Sequence, residues 1–213
     1  MTEGRQTPTY YPLFLDIRDM VCIVVGGGKV AERKARMLLA FGARVKVISP
    51  HLTAGIKALE GAGRLEVLHR PYAPGDLKGG VLVFAATDDR EVNTRIREDT
   101  AALNIPLNVA DSPELCDFIV PSIIKKGSLV VAVSTSGTAP GVAKRLKGDV
   151  DRFLSKEYID YLSLVARFRR ALHDSAATEK KRKAILGEVL EMDTKEVLSL
   201  GLRGLKKRFL HQR

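Results

Sequence analysis

The chain contains no tryptophan, only two cysteines and four histidines, and aromatic side chains make up just 6% of it. Cys22 and Cys116 form no CxxC pair and have no Cys/His ligand spacing around them, which argues against a disulfide framework and a structural zinc site. His51, His69, His173 and His211 are scattered in the same way, so no preformed metal site is expected. No apolar run approaches the roughly 18 residues that a membrane span needs. The opening residues, MTEGRQTPTYYPLF, have neither the basic start nor the apolar stretch of a secretory signal, so a cytoplasmic protein is expected. Internal repeats and low-complexity tracts are also absent.

What remains is a chain of 213 residues, 45% apolar and 28% charged. That is long enough to bury a sizeable core without covalent or metal staples. Its net charge of +10 is unevenly placed: residues 144–213 hold 18 Lys/Arg against 10 Asp/Glu, whereas residues 1–143 are nearly neutral. A basic segment of this kind attracts nucleic acid, an acidic membrane face or a polyanionic small molecule. The mixed acids and the lack of a helix-turn-helix signature argue against nucleic acid, and no membrane partner is expected.

The patterning alternates between strand and helix. Val21–Val25 is a continuous apolar run of the kind buried on both faces of a parallel sheet. Gly26, Gly27 and Gly28 follow at once, then a helical stretch in which Val30, Ala31, Ala35, Leu38 and Leu39 share one face. Further strands are predicted at ARVKVISP, LEVLHR, VLVFAA, IPLNVA and LVVAVST, with helices at 52–62 and over REVNTRIREDTAALN. Beyond residue 149 no strand is predicted. Val150, Phe153, Leu154, Tyr158, Tyr161, Leu162, Val165 and Phe168 read as one helical stripe, with two shorter helices after it. The expected architecture is α/β: a Rossmann-like parallel-sheet domain (1–112), a small β/α linking unit (113–149) and a helical C-terminal domain (150–213).

The strongest local signal is Gly26-x-Gly28-x-x-Ala31 between a buried strand and a helix, the G-x-G-x-x-G/A dinucleotide pattern. The first glycine permits the tight turn, the second lets the backbone approach a pyrophosphate, and Ala31 allows close helix–strand packing. The helix N-terminus adds amide donors and a partial positive charge. A glycine-rich turn that binds nothing is the alternative reading. The second strand ends in Ser49, Pro50 and His51 rather than in the acidic residue that grips the ribose in many NAD enzymes, leaving NAD against NADP open. Thr87 and Asp88, at the end of another strand, are placed to touch the nucleotide, while Asp88 or Asp89 could equally cap the next helix. Asp111, after Asn108-Val109-Ala110, reads either as a proton-transfer group facing the crevice or as a turn-forming residue before Ser112-Pro113.

Five segments taken together — YYPLFLDIRD, VVGGGKVAERKARMLLAFGARVKVISP, VFAATDDREVN, NVADSPELCDFIVPSII and VAVSTSGTAPGVAKRLK — resemble the precorrin-2 dehydrogenase / sirohydrochlorin ferrochelatase family. The family includes single-chain siroheme synthases and the N-terminal module of larger multifunctional ones. The resemblance runs from about residue 10 to 147. It implies NAD-dependent oxidation of precorrin-2 to sirohydrochlorin, in some members followed by Fe²⁺ insertion, by a homodimer whose contacts lie in the unit after the Rossmann-like domain. The family's functional aspartate falls on Asp111, and its nucleotide contacts fall on the glycine loop, including Lys29 and Val30, and on Pro50 and His51. Precorrin-2 carries eight carboxylate side chains, which gives the basic tail a rationale. Ser134-Thr135-Ser136-Gly137 departs from the family's serine pair followed by two glycines, and Cys116 is expected to be a buried or capping thiol rather than a nucleophile. Two other functions compete: a dehydrogenase without chelatase activity, and an NAD-sensing regulatory module.

Overall fold

The computed structural model describes residues 10–210, so residues 1–9 and 211–213, His211 among them, lie outside the described residues. The chain divides into two compact units that meet between Val120 and Pro121.

In the first unit, β1 (Val21–Val25), β2 (Arg44–Ile48), β3 (Glu66–Leu68), β4 (Leu82–Ala85) and β5 (Leu107–Val109) form one sheet. Every pairing is parallel and the strand order is β3-β2-β1-β4-β5. Three helices, α1 (Lys29–Ala40), α2 (Ala54–Gly61) and α3 (Arg90–Leu103), connect them. The period-2 alternation of β1 separates two cores. Cys22 and Val24 pack with Ala31, Ala35 and Leu38 of α1 and Ile56 of α2. Ile23 and Val25 face the other way, with Leu77 and with Ile96 of α3. Helices on both faces explain why the central strands read as unbroken apolar runs. The helix ends follow local chemistry: Thr53 caps α2 through Ile56 N–H, and Asp89 caps α3 through the amides of Glu91 and Val92.

The second unit departs from expectation in two places. LVVAVST does form a strand, β7 (Leu129–Val133), but it pairs antiparallel with β6 (Ser122–Lys126) in a separate ribbon. The β6 segment, SIIKK, is short, half-buried and ends in two lysines, so it gives no strand signal of its own. The long helical stripe is also divided. Helix α4 (Pro140–Phe153) stops at Leu154, and α5 (Lys156–His173) starts afresh because Ser155 Oγ accepts from Tyr158 N–H as an N-cap. Phe153 is therefore 72% exposed, and the buried face of α5 is Tyr161, Leu164, Phe168 and Leu172. Helices α6 (Glu179–Glu191) and α7 (Thr194–Leu210) complete this core through Ile185, Val189, Val197 and Leu205, with α7 broken at Gly201. Lys126 Nζ ties β6 to the α4–α5 junction through Asp151 and the Leu154 carbonyl.

Phe168 is fully buried at the centre of the helical core. Phe168→Ala is expected to cost about 3–5 kcal/mol, read as a lower urea midpoint for the helical unit. A change below about 1 kcal/mol would mean that this core is loosely packed.

Candidate active site

The sheet order reverses direction between β1 and β4, and ligands of open parallel sheets bind outside the strand C-termini at such a point. Three loops meet there. The β1 ladder continues through Ala86 N–H to Val25 O at 2.7 Å, and the β4 ladder through Ala110 N–H to Ala85 O at 2.8 Å. Gly26, Ala86-Thr87 and Ala110-Asp111 are thus successive strand ends along one edge. Two strand spacings place Asp111 about 10 Å from the glycine loop.

The three loop glycines have different jobs. Gly26 has φ +118°, and a Cβ there would lie 2.3 Å from the Ala86 carbonyl oxygen. A Cβ on Gly27 would lie 1.9 Å from the His51 carbonyl oxygen and 2.7 Å from Ser49 Oγ. A Cβ on Gly28 would meet nothing within 4 Å among the described residues. Packing therefore accounts for the first two glycines and not for the third. Gly28 is the N-cap of α1 and no side chain caps that helix, so its first amides remain available to a ligand. Open space over a glycine beside an uncapped helix start fits a pyrophosphate. Ala31 is fully buried under the helix, as close packing on the sheet requires.

The turn after β2 is stitched to this loop. Thr53 N–H donates to Gly27 O at 2.9 Å, and Thr53 Oγ1 donates to Glu32 at 2.7 Å. That hydroxyl and the Arg36 guanidinium hold the Glu32 carboxyl below its ordinary range. Ser49 is buried and its hydroxyl is engaged with the backbone of His51, donating to the carbonyl at 2.8 Å and accepting from N–H at 3.3 Å. Ser49 thus shapes the turn, while Pro50 and His51 are exposed. In the β4 loop, Asp89 caps the helix and Asp88 stays exposed. Thr87 is fixed by Asp89 N–H on its Oγ1 and by Asn93 Nδ2 on its carbonyl at 3.1 Å. Asn93 is buried, and its Oδ1 has no hydrogen-bond partner among the described residues.

Asp111 is exposed, has φ +60°, and its carboxylate makes no hydrogen bond or ion pair among the described residues. The loop that bears it is clamped to β5. Leu107 N–H donates to Asp117 Oδ2 at 2.9 Å, Asn108 Nδ2 to the Phe118 carbonyl at 3.0 Å, and Val109 N–H to Cys116 Sγ at 3.1 Å. Arg97 pairs with Asp117 at 2.6 Å from α3. Cys116 is thus a hydrogen-bonded thiol, within 3.3 Å of the carbonyls of Val109 and Ser112. Burial raises its pKa, and burial pushes that of Cys22 up to about 11. Because the thiolate is the reactive form, both cysteines are expected to label slowly with a disulfide reagent at neutral pH and fully only on unfolding. Rapid labelling of the native protein would contradict this.

One residue that the sequence reading overlooked stands nearby. Lys34 of α1 is half-buried, donates from Nζ to Asn108 Oδ1 at 3.1 Å and sits 5.1 Å from the centre of the Phe84 ring. Burial holds its ammonium below the usual lysine range, the Arg33 charge acts in the same sense, and Cys116 and Asp111 oppose them. A lysine three residues after a buried alanine, on the sheet side of a helix, was the available signal.

In the second unit, the Ser134–Gly137 loop uses its hydroxyls internally: Ser134 Oγ accepts from Ser136 N–H and Thr135 Oγ1 from Ala139 N–H. Among the described residues no three His, Cys, Asp or Glu side chains cluster as a metal site, and no helix is long and apolar enough to cross a membrane.

A five-stranded parallel sheet with a ligand-accessible glycine loop at its switch point defines a dinucleotide-binding protein. Residues 13–122 match the model of the family described as "Putative NAD(P)-binding" (NAD_binding_7), and the chain belongs to that family. It is also similar to a siroheme synthase of Methylobacillus flagellatus, 41% identical over 180 residues, covering 84% of this chain and 38% of that protein. A siroheme synthase of Stutzerimonas stutzeri is 36% identical over 204 residues, covering 96% of this chain and 44% of that protein. The chain thus spans about two-fifths of the length of these curated relatives. Among solved structures, one titled SirC, precorrin-2 dehydrogenase, superposes with a TM-score of 0.77 at 27% identity, covering 95% of this chain and 98% of that one.

Proposed function

We propose that this chain oxidises precorrin-2 to sirohydrochlorin with NAD⁺, Asp111 taking the proton. The observation that carries this reading is an unpaired carboxylate at the end of β5, on the same sheet edge as a glycine loop with room for a pyrophosphate. The siroheme synthases and the precorrin-2 dehydrogenase that the chain resembles supply the substrate class.

Bound NAD⁺ supplies the hydride acceptor. The chain does the rest. The amides at the start of α1 bind and orient the pyrophosphate. Gly28, Lys29 and Val30 would line that end, with Gly26 making the tight turn before them and Ala31 letting α1 pack close to the sheet, and Pro50 and His51 would flank the adenosine end on a turn that Ser49 holds. Thr87, fixed by Asn93, and Asp88 would touch the nucleotide from the β4 loop. Removing a hydride from precorrin-2 leaves a proton to be lost, and Asp111 Oδ accepts it as general base. Once that proton has passed to solvent, the same carboxylate accepts one of the two N–H protons that leave the macrocycle as Fe²⁺, a substrate, enters, and the other passes to water.

Three domain roles go with this reading: nucleotide binding over 1–112, dimer contacts over 113–149 and a helical domain over 150–213. Exposed Val142, Leu146 and Phe153 of α4 support a homodimer. The proposed setting is the cytoplasm.

An anaerobic assay with precorrin-2 and NAD⁺, followed by Fe²⁺ or Co²⁺ after oxidation is complete, tests the proposal. NADH formation followed by faster metal insertion than without protein supports both steps. Oxidation alone makes the protein a dehydrogenase only. Neither activity, with folded protein and verified substrate, overturns the enzyme reading in favour of NAD sensing.

A further inference from the structure

Lys34 is a cation that neither the nucleotide site nor the proton transfer uses. Its Nζ is held in one place by Asn108 Oδ1 at 3.1 Å and by the Phe84 ring face at 5.1 Å. Both partners are fixed in turn. Asn108 is buried, and its Nδ2 donates to the Phe118 carbonyl at 3.0 Å, which orients Oδ1 toward the lysine. Phe84 is buried and meets Phe118 edge-on, ring centres 5.4 Å apart. Neither contact neutralises the ammonium, and no carboxylate forms an ion pair with it among the described residues. An ammonium carries three donors and Asn108 takes only one. A partly buried, unpaired charge is costly, and an arriving anion offsets that cost. Asn108, Lys34's partner, is the middle residue of β5, paired with Phe84 and three residues before Asp111, so the free cation stands over the strand that leads to the free carboxylate.

We propose that Lys34 is a substrate-anchoring residue, its ammonium binding one peripheral carboxylate of the tetrapyrrole so that the ring is presented to Asp111. This rests on the functional reading above. Exposed lysines and arginines attract a polyanion, but long solvated side chains do not fix its orientation. Lys34 does, because its own position is fixed and its surroundings are partly desolvated, where a charge-assisted hydrogen bond counts for more than at the surface.

The test compares wild type, Lys34→Met and Lys34→Arg. Methionine keeps the unbranched chain and removes the charge; arginine keeps the charge. Sirohydrochlorin binding is followed by absorbance titration, NAD⁺ binding separately, and steady-state kinetics with precorrin-2 in parallel. The expected result for Lys34→Met is a rise of about 10- to 100-fold in the sirohydrochlorin Kd and the precorrin-2 KM, with the NAD⁺ Kd unchanged and partial recovery in Lys34→Arg. An unchanged sirohydrochlorin Kd in folded Lys34→Met, or equal losses of NAD⁺ and sirohydrochlorin binding, overturns the assignment and leaves Lys34 as a clasp between α1 and β5. Wild-type protein that binds NAD⁺ but no sirohydrochlorin overturns the functional reading itself, so the two failures are told apart.

Discussion

Asp111→Asn is expected to slow precorrin-2 oxidation by at least about 100-fold while leaving NAD⁺ binding and the unfolding midpoint unchanged. The choice of asparagine follows from the backbone. At φ +60° a residue sits in the left-handed region, which asparagine and aspartate tolerate far better than other L-residues. Alanine would mix loss of the carboxylate with backbone strain. Asparagine keeps size and conformation and removes only the basic oxygen. The carboxylate has no partner among the described residues, so its loss leaves no buried group unsatisfied and stability is not expected to move. Single-turnover NADH formation with saturating precorrin-2 measures the chemical step. A variant that oxidises at the wild-type rate would remove Asp111 from the proton transfer and return it to the turn-forming role that its place before Ser112-Pro113 also fits. Metal insertion by the same variant asks whether chelation needs this carboxylate as well.

The second large effect is a contrast between adjacent glycines. Gly27→Ala is expected to destabilise the protein by about 3 kcal/mol or more, because the added carbon meets the His51 carbonyl at 1.9 Å, where no side-chain rotation relieves it. Gly28→Ala adds the same carbon into open space, at an ordinary extended backbone conformation. Its stability cost is limited to a poorer N-cap, about 1 kcal/mol. Its NAD⁺ affinity is expected to fall by roughly 100-fold, because the methyl group occupies the approach to the α1 amides that the pyrophosphate would take. Urea unfolding and NAD⁺ titration of the two variants separate the effects. If Gly28→Ala binds NAD⁺ as wild type does, the pyrophosphate does not lie over Gly28.

Two features of the sequence made the first unit readable. VCIVV and VLVFAA are apolar at every position, which only a strand covered on both faces sustains, and helices do cover both faces. The glycine run sits directly between such a strand and a helix, so its place at a strand C-terminus followed from local order alone. Past residue 112 the signals weaken for equally local reasons. SIIKK is too short and too polar to announce a strand without its partner. The apolar spacing through Leu154 continues a helical period across a real break, and Ser155, the residue that makes the break, is one serine in a helical pattern until its hydroxyl is seen under Tyr158 N–H.

The parallel α/β unit, the glycine loop and the aspartate after the last parallel strand are legible in the chain alone, since each depends on neighbouring residues. The tertiary structure decided what those residues are free to do. Ser49, at the strand end where many NAD enzymes carry an acidic residue, is engaged with the His51 backbone; Asp89 rather than Asp88 caps α3; Gly27 is required by packing and Gly28 is not. Lys34 shows the difference most plainly. In the chain it is one of several charges on an amphipathic helix, 74 residues from Asn108, and only the fold brings the two within hydrogen-bonding distance. Helical and strand periods specify which face a side chain takes, but whether its polar atoms find partners there depends on residues distant in sequence, and that is fixed only when the layers pack.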